Sequence, residues 1–552
     1  MLTPDQIEAL RLQSEDIIDP VVQFLIGDIA QRISEAGHLT STAAYQVWRL
    51  QHLGVSQRQL KKELRKLLRV SHRELRKLLT QTAEVGYNYD IRRFPYVQAV
   101  PFEKNEDMQR IVEAAVKLVE EDLGSLTQTL GFVAPNGKAM PLTDAYREAC
   151  DFAFKKVFTG AQDYNSAVRE ATKGLVDKGI LRLDYDSGVH RSVEAAVRGS
   201  VMGGLGLLQE QISQQNHDDF GCDGWEISAH ANSAPDHEPY QGKQYSDQEY
   251  YRLNNSLMRQ IGTLNCGHSA SPIIMGIHEP QYTPEELEKF REDNEKGITY
   301  NGKHYTMYEA TQRQRLLERK IRKVKRRILV DEKLGDTEQL SIDRTKYVVM
   351  NDEYKRFSKA AGLRIRHERM EMTGFGPKQH GAAEGSANAA HKEWLKSIGA
   401  EGTELNSLEK FEEARYNNTD EFQLLNGYDR AVKNGDISAL VGFDHYKATG
   451  EKIRAGMVGQ STSTGVEIKS FTTHYIDRTI GQTSDAHPGM RQGVPVEDAL
   501  DALQNPVQTK PIRHLPDGDI RQTFYGAKAV VTISLRDGKL IQTNPYKKGA
   551  GK

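Results

Sequence analysis

The chain has 552 residues, of which 38% are hydrophobic and 27% charged, and its formal net charge is −2. This length predicts three or four domains, because single hydrophobic cores rarely grow beyond roughly 250–300 residues. Because positive and negative charges are nearly balanced, the net charge does not indicate binding to nucleic acid. The three cysteines (Cys150, Cys222 and Cys266) argue against a disulfide framework and fit a reducing cytoplasm.

The start of the chain predicts a protein without a targeting signal. Met1 leads into a polar, acidic stretch without a basic or an apolar region. The apolar run VMGGLGLL at 201–208 is too short for a membrane span of about 18 residues. We therefore expect a protein that is neither secreted through a signal peptide nor embedded in a membrane.

Apolar residues at helical spacing predict a mainly α N-terminal region, divided into helical stretches at 1–132 and 133–220. Turn residues and short alternating segments then predict a small central α+β module at 221–308. Charged helices are expected over 309–373, specifically at 309–330 and 352–369. A linker with helices follows at 374–439, where the small, polar stretch 376–392 predicts a loop.

The last segment, 440–552, predicts an α+β domain of helices and antiparallel sheet. Helices are expected near residues 474–480 and 496–503, followed by strands around TFYGAKAVVTISL and KLIQTNP. The RDG sequence at 536–538 predicts the turn of a hairpin.

Two charged helices have alternative interpretations. The segment 56–79 carries nine cations against two glutamates and could neutralise phosphates, but no aromatic side chains are interleaved for base stacking. We favour a solvated face or one docked on an acidic partner. In 312–330, a row of apolar side chains, the apolar seam, predicts packing against a neighbouring helix. Contact with DNA is the alternative. The seam consists of Leu317, Ile321, Val324 and Ile328.

The central block contains the soft metal ligands Cys222, His230, His237, Cys266 and His268. Zinc accepts such side chains in tetrahedral sites, but their spacing fits no usual zinc pattern. We therefore expect no metal and interpret these residues as structural. Walker, zinc-protease and serine-hydrolase motifs are lacking, and no cofactor is expected.

Three blocks carry a resemblance to known proteins: CDGWEISAHANSAPDHEPYQGKQYS, NCGHSASPIIMGI and ITYNGKHYTMYEATQRQRLLERKIRKVKRR. In this order they resemble the phage minor capsid protein family and the broader head-morphogenesis proteins typified by phage Mu. The resemblance covers about residues 1–370. It implies a structural protein of the virion head, present in the host cytoplasm during assembly. The partners it implies are the portal protein, the major capsid protein and packaged DNA.

The C-terminal segments FTTHYIDRTIG, RQGVPVEDALDALQNP and QTFYGAKAVVTISLRDGKLIQTNP resemble toxin-like phage nuclease domains related to barnase, colicin-type and RelE-type ribonucleases. The resemblance implies metal-independent cleavage of host RNA. On a helix, His474 and Arg478 share one face, so they could transfer a proton and hold a phosphate. Further candidates are Arg513 or His514, Arg521, Tyr525, Thr543 and Asn544, of which we select Arg513, Tyr525 and Thr543.

The sequence is therefore compatible with three functions. The first is a structural, portal-associated minor capsid protein with an appended ribonuclease-type domain. The second is an effector ribonuclease delivered with the virion, for which the remainder is a packaging scaffold. The third is a degenerate nuclease-like domain that only binds nucleic acid or protein. Convergence of His474, Arg513, Tyr525 and Thr543 on one exposed cleft would favour an active domain.

Overall fold

The computed structural model describes residues 4–133, 139–178, 181–183, 190–262, 267–438, 440–483, 490–516 and 518–546. The chain forms two compact units, Met1–Glu384 and Gly385–Lys552. The first is rich in helices with small sheets, and the second combines helices with one mainly antiparallel sheet, which confirms the predicted fold class. Among the residues just given, no helix is long and apolar enough to cross a membrane.

The helices of the first unit follow one another along most of its length. Their bounds are α1 (Pro4–Gly37), α2 (Thr42–Arg93), α3 (Glu106–Thr129), α4 (Leu142–Phe158), α5 (Tyr164–Lys178), α6 (Val193–Asp219), α7 (Asp247–Ser256), α8 (Pro284–Lys296), α9 (Met307–Leu334) and α10 (Thr337–Ala360). The next helix, α11 (Pro377–Ser397), continues into the residues of the second unit.

The strands of the first unit form three small antiparallel sheets. Four strands pair in the order β2-β1-β3-β4, three in the order β6-β5-β7, and two as the hairpin β8-β9. Their bounds are β1 (Leu130–Val133), β2 (Ala139–Pro141), β3 (Leu181–Leu183), β4 (His190–Ser192), β5 (Gly224–Ile227), β6 (Gln244–Ser246), β7 (Ala270–Ile273), β8 (Ile298–Tyr300) and β9 (Lys303–Tyr305).

The helices α1 to α6 share one apolar core. α1 lies against α2, α4, α5, α6 and α9, and its apolar stripe is buried along several turns. That stripe includes Ile18, Val22, Leu25, Ile29 and Ile33. Burial of such side chains is worth about 1.5–3 kcal/mol each, which makes this stripe a main source of stability for the unit.

A second core lies between α9 and α10. The predicted seam of Leu317, Ile321, Val324 and Ile328 is buried here against Tyr354 and Phe357, which confirms that it packs on a neighbouring helix. α9 begins with a capping box, in which the Thr306 hydroxyl and the Glu309 carboxylate each bond the other's backbone N–H.

Two expectations for this region were wrong. The predicted helix at 352–369 is the end of α10, which stops at Ala360 because Gly362 adopts φ +63° and the N–H of Leu363 bonds the carbonyl of Ser358. The predicted loop at 376–392 lies inside α11. Its small residues suit helix packing, since Ala383 and Ala387 are buried, and alanine has the highest helix propensity.

The second unit packs its helices on one face of a six-stranded sheet. The helices are α12 (Leu408–Asn417), α13 (Asp420–Lys433), α14 (Phe443–Met457), α15 (Thr473–Ile480) and α16 (Val496–Gln504). The strands are β10 (Ser470–Phe471), β11 (Gln508–Thr509), β12 (Arg513–His514), β13 (Ile520–Tyr525), β14 (Ala529–Ser534) and β15 (Lys539–Pro545). α15 and α16 match the helices predicted near 474–480 and 496–503.

The sheet of the second unit has the order β10-β15-β14-β13-β11, and β12 also pairs with β13. β14 and β15 are joined through the RDG turn, which confirms the predicted hairpin. Phe524, Val531 and Thr543 occupy one row on the buried face, whereas Tyr525, Val530 and Asn544 occupy the adjacent row on the opposite face. This alternation decides which polar side chains are accessible.

Asp331 is a buried carboxyl in α9, and its oxygen Oδ2 has no hydrogen-bond partner among the described residues. Burial, reinforced by the neighbouring Asp343 and Asp336, raises its pKa to about 8. Because the folded pKa exceeds the unfolded one, stability is fully present at low pH. It falls as the pH rises from about 4 to about 8.

We expect Asp331→Asn to stabilise the protein at pH 8 by about 2 kcal/mol and to change little at pH 4, since the buried charge is then absent. Urea unfolding at both pH values, followed by circular dichroism, measures the difference. Asp293→Asn, at an exposed position on α8, is the control. Equal effects of Asp331→Asn at the two pH values would contradict a buried charge.

Candidate functional site

The central block forms a compact sheet around Trp225. β5 lies between β6 and β7, and all four of its residues are buried. The Trp225 indole stacks on His217 at 5.0 Å and on Tyr250 at 5.3 Å between ring centroids. The first two blocks of the sequence resemblance therefore meet in one sheet, since β5 and β6 belong to the first and β7 to the second.

Glu226 is a fully buried carboxylate at the centre of that sheet. Arg93, at the end of α2, donates to its Oε2 at 2.6 Å. The backbone N–H of Gln281 donates to Oε1 at 2.7 Å, and the Gln281 side chain donates to Oε2 at 2.9 Å. These bonds join the long N-terminal helix, the sheet and the segment before α8 at one point.

Three histidines of the central block form a cluster. His268 stacks on His230 at 4.4 Å and meets His237 edge-on at 5.5 Å between ring centroids. Nε2 of His268 lies 3.1 Å from Oε1 of Gln241. Burial, with help from the charges of His230, His237 and Arg259, lowers the pKa of His268 to about 2. The ring is therefore neutral at physiological pH.

His237 holds the loop that follows α7, because its Nε2 bonds the Arg259 carbonyl at 2.6 Å. Burial raises the pKa of the Cys222 thiol to about 12. Cys266 lies outside the described residues. Among the residues that the structure does describe, no group of three or more His, Cys, Asp or Glu side chains could hold a metal ion.

A pocket of about 400 Å³ opens beside the histidine cluster. Its wall includes His230, His237 and His268, together with six arginines and one acidic side chain, Glu318. The arginines are Arg198, Arg259, Arg315, Arg319, Arg322 and Arg369. Arg315, Arg319 and Arg322 belong to the third block of the sequence resemblance, so all three blocks contribute to this pocket.

The basic segment 56–79 lies within α2. Of its cations, Lys62, Lys66, Arg73, Arg76 and Lys77 are exposed, and the positions of the other side chains lie outside the described part of the structure. Arg76 forms two bonds with Glu113 of α3, at 2.8 and 2.9 Å. This exposed pair supports the interpretation of the segment as a solvated face.

In the second unit, His474 and Arg478 lie side by side on α15, as their spacing predicts. Nε of Arg478 donates to Nε2 of His474 at 3.2 Å, and a terminal guanidinium nitrogen donates to Oδ1 of Asn544 at 3.3 Å. The His474 side chain is 37% exposed. A half-exposed imidazole beside a guanidinium is an arrangement that can bind a phosphate and transfer a proton.

Asp477 stands behind His474. Its carboxylate is fully buried, and its Oδ2 lies 3.4 Å from Nδ1 of His474. The Tyr446 hydroxyl donates to Oδ1 at 2.8 Å, and burial raises the pKa of the carboxyl. A carboxylate at Nδ1 favours the imidazole tautomer that presents a lone pair at Nε2.

The other three predicted site residues do not join this patch. Thr543 is fully buried on the helix-covered face and donates to the Val530 carbonyl at 3.1 Å. Arg513 pairs with Arg521 on β13. Arg521 lies four residues along that strand from Tyr525, so Arg513 is about 13 Å from the row that contains Tyr525. Tyr525 shares a row with Asn544 but lies two strands away, at about 10 Å.

Glu226 and Asp477 were not predicted from the sequence, and neither was the clustering of the pocket arginines. Glu226 and Asp477 occur in the quoted motifs, but only the fold shows that both carboxylates are buried. The arginines at 315, 319 and 322 have i, i+4 and i+7 spacing, which could have suggested a common face. Arg198, Arg259 and Arg369 are distant in sequence and carried no such signal.

Comparison with known proteins identifies a family to which the chain is similar. The model of the family described as "Phage minor capsid protein 2" matches residues 2–359. This region lies within the first unit and ends before the second begins. No curated protein and no solved structure matches the chain.

We expect Glu226→Ala to destabilise the first unit by about 3–5 kcal/mol, because Arg93 would be left with a buried, uncompensated charge. Thermal and urea unfolding measure the loss. Glu292→Ala, at an exposed position on α8, is the matched control and should change stability by less than about 0.5 kcal/mol. Similar losses for both variants would contradict the central role of this carboxylate.

Proposed function

This chain belongs to the phage minor capsid protein 2 family, and we propose that it associates with the portal and the inner capsid surface during head assembly. Family membership gives it a structural role in head morphogenesis and a location in the virion. The single observation that carries the finer proposal is that the matched residues all lie within one compact unit. Such a unit is able to act as one assembly module.

The helical surface of this unit suits protein partners. Several large apolar side chains are exposed on α2, α3 and the segment between them, and these supply contact area at a subunit interface. They are Val47, Val85, Tyr96, Val100 and Leu118. The exposed cations of α2 support a further contact with packaged DNA, which is a dense anion, or with an acidic face of a capsid protein.

Complementation tests the assembly role. In a phage whose copy of this gene carries a stop codon, we expect few complete heads, and we expect the full chain supplied in trans to restore them. A chain ending at Ser397 should restore them as well, because it keeps the whole matched region and all of α11. Electron microscopy and plaque counts measure the outcome.

Cross-linking of purified heads, followed by mass spectrometry, tests the partners. Cross-links from the first unit to the portal protein and to the major capsid protein are expected. Heads that assemble normally without the chain would contradict an assembly role. Restored heads without portal cross-links would instead overturn the portal association alone.

The patch of His474, Asp477 and Arg478 favours a second function, metal-independent cleavage of RNA by the C-terminal unit. His474 Nε2 would accept the proton of a ribose 2′-hydroxyl, whose oxygen attacks the phosphorus. The 5′-oxygen would leave, giving a 2′,3′-cyclic phosphate, and would take its proton from water or from His474. Arg478 would turn from His474 towards the phosphate. Of the five residues predicted for this site, His474 and Arg478 have positions that support this chemistry.

For the full-length protein, we expect cleavage of labelled host RNA in EDTA that His474→Ala lowers at least about 100-fold, the usual contribution of a general acid–base group. His445→Ala, at an exposed histidine of α14, is the matched control and should retain full activity. Circular dichroism checks that both variants fold. A folded wild-type protein that leaves RNA intact would exclude this second function.

A further inference from the structure

We propose that the arginine-lined pocket of the first unit binds a compact polyphosphate, either free or as part of a nucleotide. The pocket is separate from the His474 patch and independent of the portal association proposed above. Its volume of about 400 Å³ lies at the lower end of the range typical of small-ligand sites. A space of this size admits a short chain of phosphates but not a nucleic-acid duplex.

The first observation is the arrangement of cations on α9. Arg315, Arg319 and Arg322 lie on successive turns of one helical face, and all three line the pocket. Like charges at i and i+4 repel each other, so a polyanion that bridges Arg315 and Arg319 would relieve this repulsion. Guanidinium groups bind phosphate oxygens through paired N–H donors, which favours a phosphate-bearing anion.

The second observation is that nearby carboxylates orient some arginines at the wall. Arg259 bonds Asp236 at 2.6 Å, Arg322 lies 3.6 Å from Asp19, and Arg369 lies 3.4 Å from Glu318. Asp19 and Asp236 are not among the lining residues, so the wall itself carries mainly cations. This arrangement holds guanidinium groups in place before a ligand arrives.

Arg319 differs from those three. Its side chain is exposed, and no carboxylate among the described residues lies within 4 Å of it. It is therefore the arginine best able to bind an incoming anion without losing an existing ion pair. This makes Arg319 the most informative position for substitution.

The third observation concerns the floor of the pocket. A side chain at Gly267 would place a Cβ atom 2.6 Å from Nε2 of His230, so glycine lets the backbone approach the imidazole closely. His268 is neutral because it is buried, and it adds no repulsion to the cationic wall. The histidine cluster thus supports the pocket, which explains why histidines and arginines of separate blocks meet here.

Isothermal titration calorimetry of the full-length protein with inorganic tripolyphosphate tests the proposal. We expect saturable binding that Arg315→Gln/Arg319→Gln weakens at least 10-fold. Arg313→Gln removes one arginine charge from the same helix at a position that does not line the pocket, and it should bind like the wild type. Tripolyphosphate should also raise the melting temperature of the wild type and of Arg313→Gln, and should raise that of the double variant less.

Competition identifies the source of the phosphates. A nucleoside triphosphate that displaces tripolyphosphate would extend the ligand to nucleotides, whereas tripolyphosphate binding alone would restrict it to the free anion. Displacement by a short DNA duplex at equal phosphate concentration would overturn the proposal, because a general cationic surface would then explain the binding. Lack of tripolyphosphate binding, or equal weakening by Arg313→Gln, would overturn it as well.

Discussion

The buried contact between Glu226 and Arg93 is the polar interaction that fixes the central sheet within the first unit. A carboxylate without water is tolerated only when donors satisfy both of its oxygens, and here Arg93 and Gln281 do so. The contact fixes the end of a 52-residue helix against a sheet of only three strands. The orientation of that sheet in turn decides where the histidines and the pocket lie.

Much of the helical architecture could be predicted from the sequence because it has a local cause. The seam from Leu317 to Ile328 repeats at helical spacing, and the buried face of α9 follows from it directly. The end of α10 could also have been found, since Gly362 is a typical residue just beyond a helix. The helix α11 was missed because its glycines and small polar residues resemble those of a linker, although its alanines favour a helix and two of them are buried.

The candidate sites were predictable only in part, for a related reason. His474 and Arg478 share a face through helical spacing alone, so their proximity follows from the sequence. The burial of Thr543 and the separation of Arg513 from Tyr525 depend on strand register, to which distant residues contribute. Likewise, Arg198, Arg259 and Arg369 approach α9 only after the whole unit has folded.

The two faces of α9 are coupled in a way that limits how the pocket can respond. Successive residues of an α-helix are about 100° apart, so rotation by one residue would drive an arginine into the apolar core. Because Leu317 and Ile321 are buried in the core, Arg315 and Arg319 are held on the face of α9 that lines the pocket. The direction of these arginines is therefore coupled to the packing of the apolar face of α9. An anion bound there, as proposed above, would bridge successive turns of α9 and oppose the unwinding of that helix.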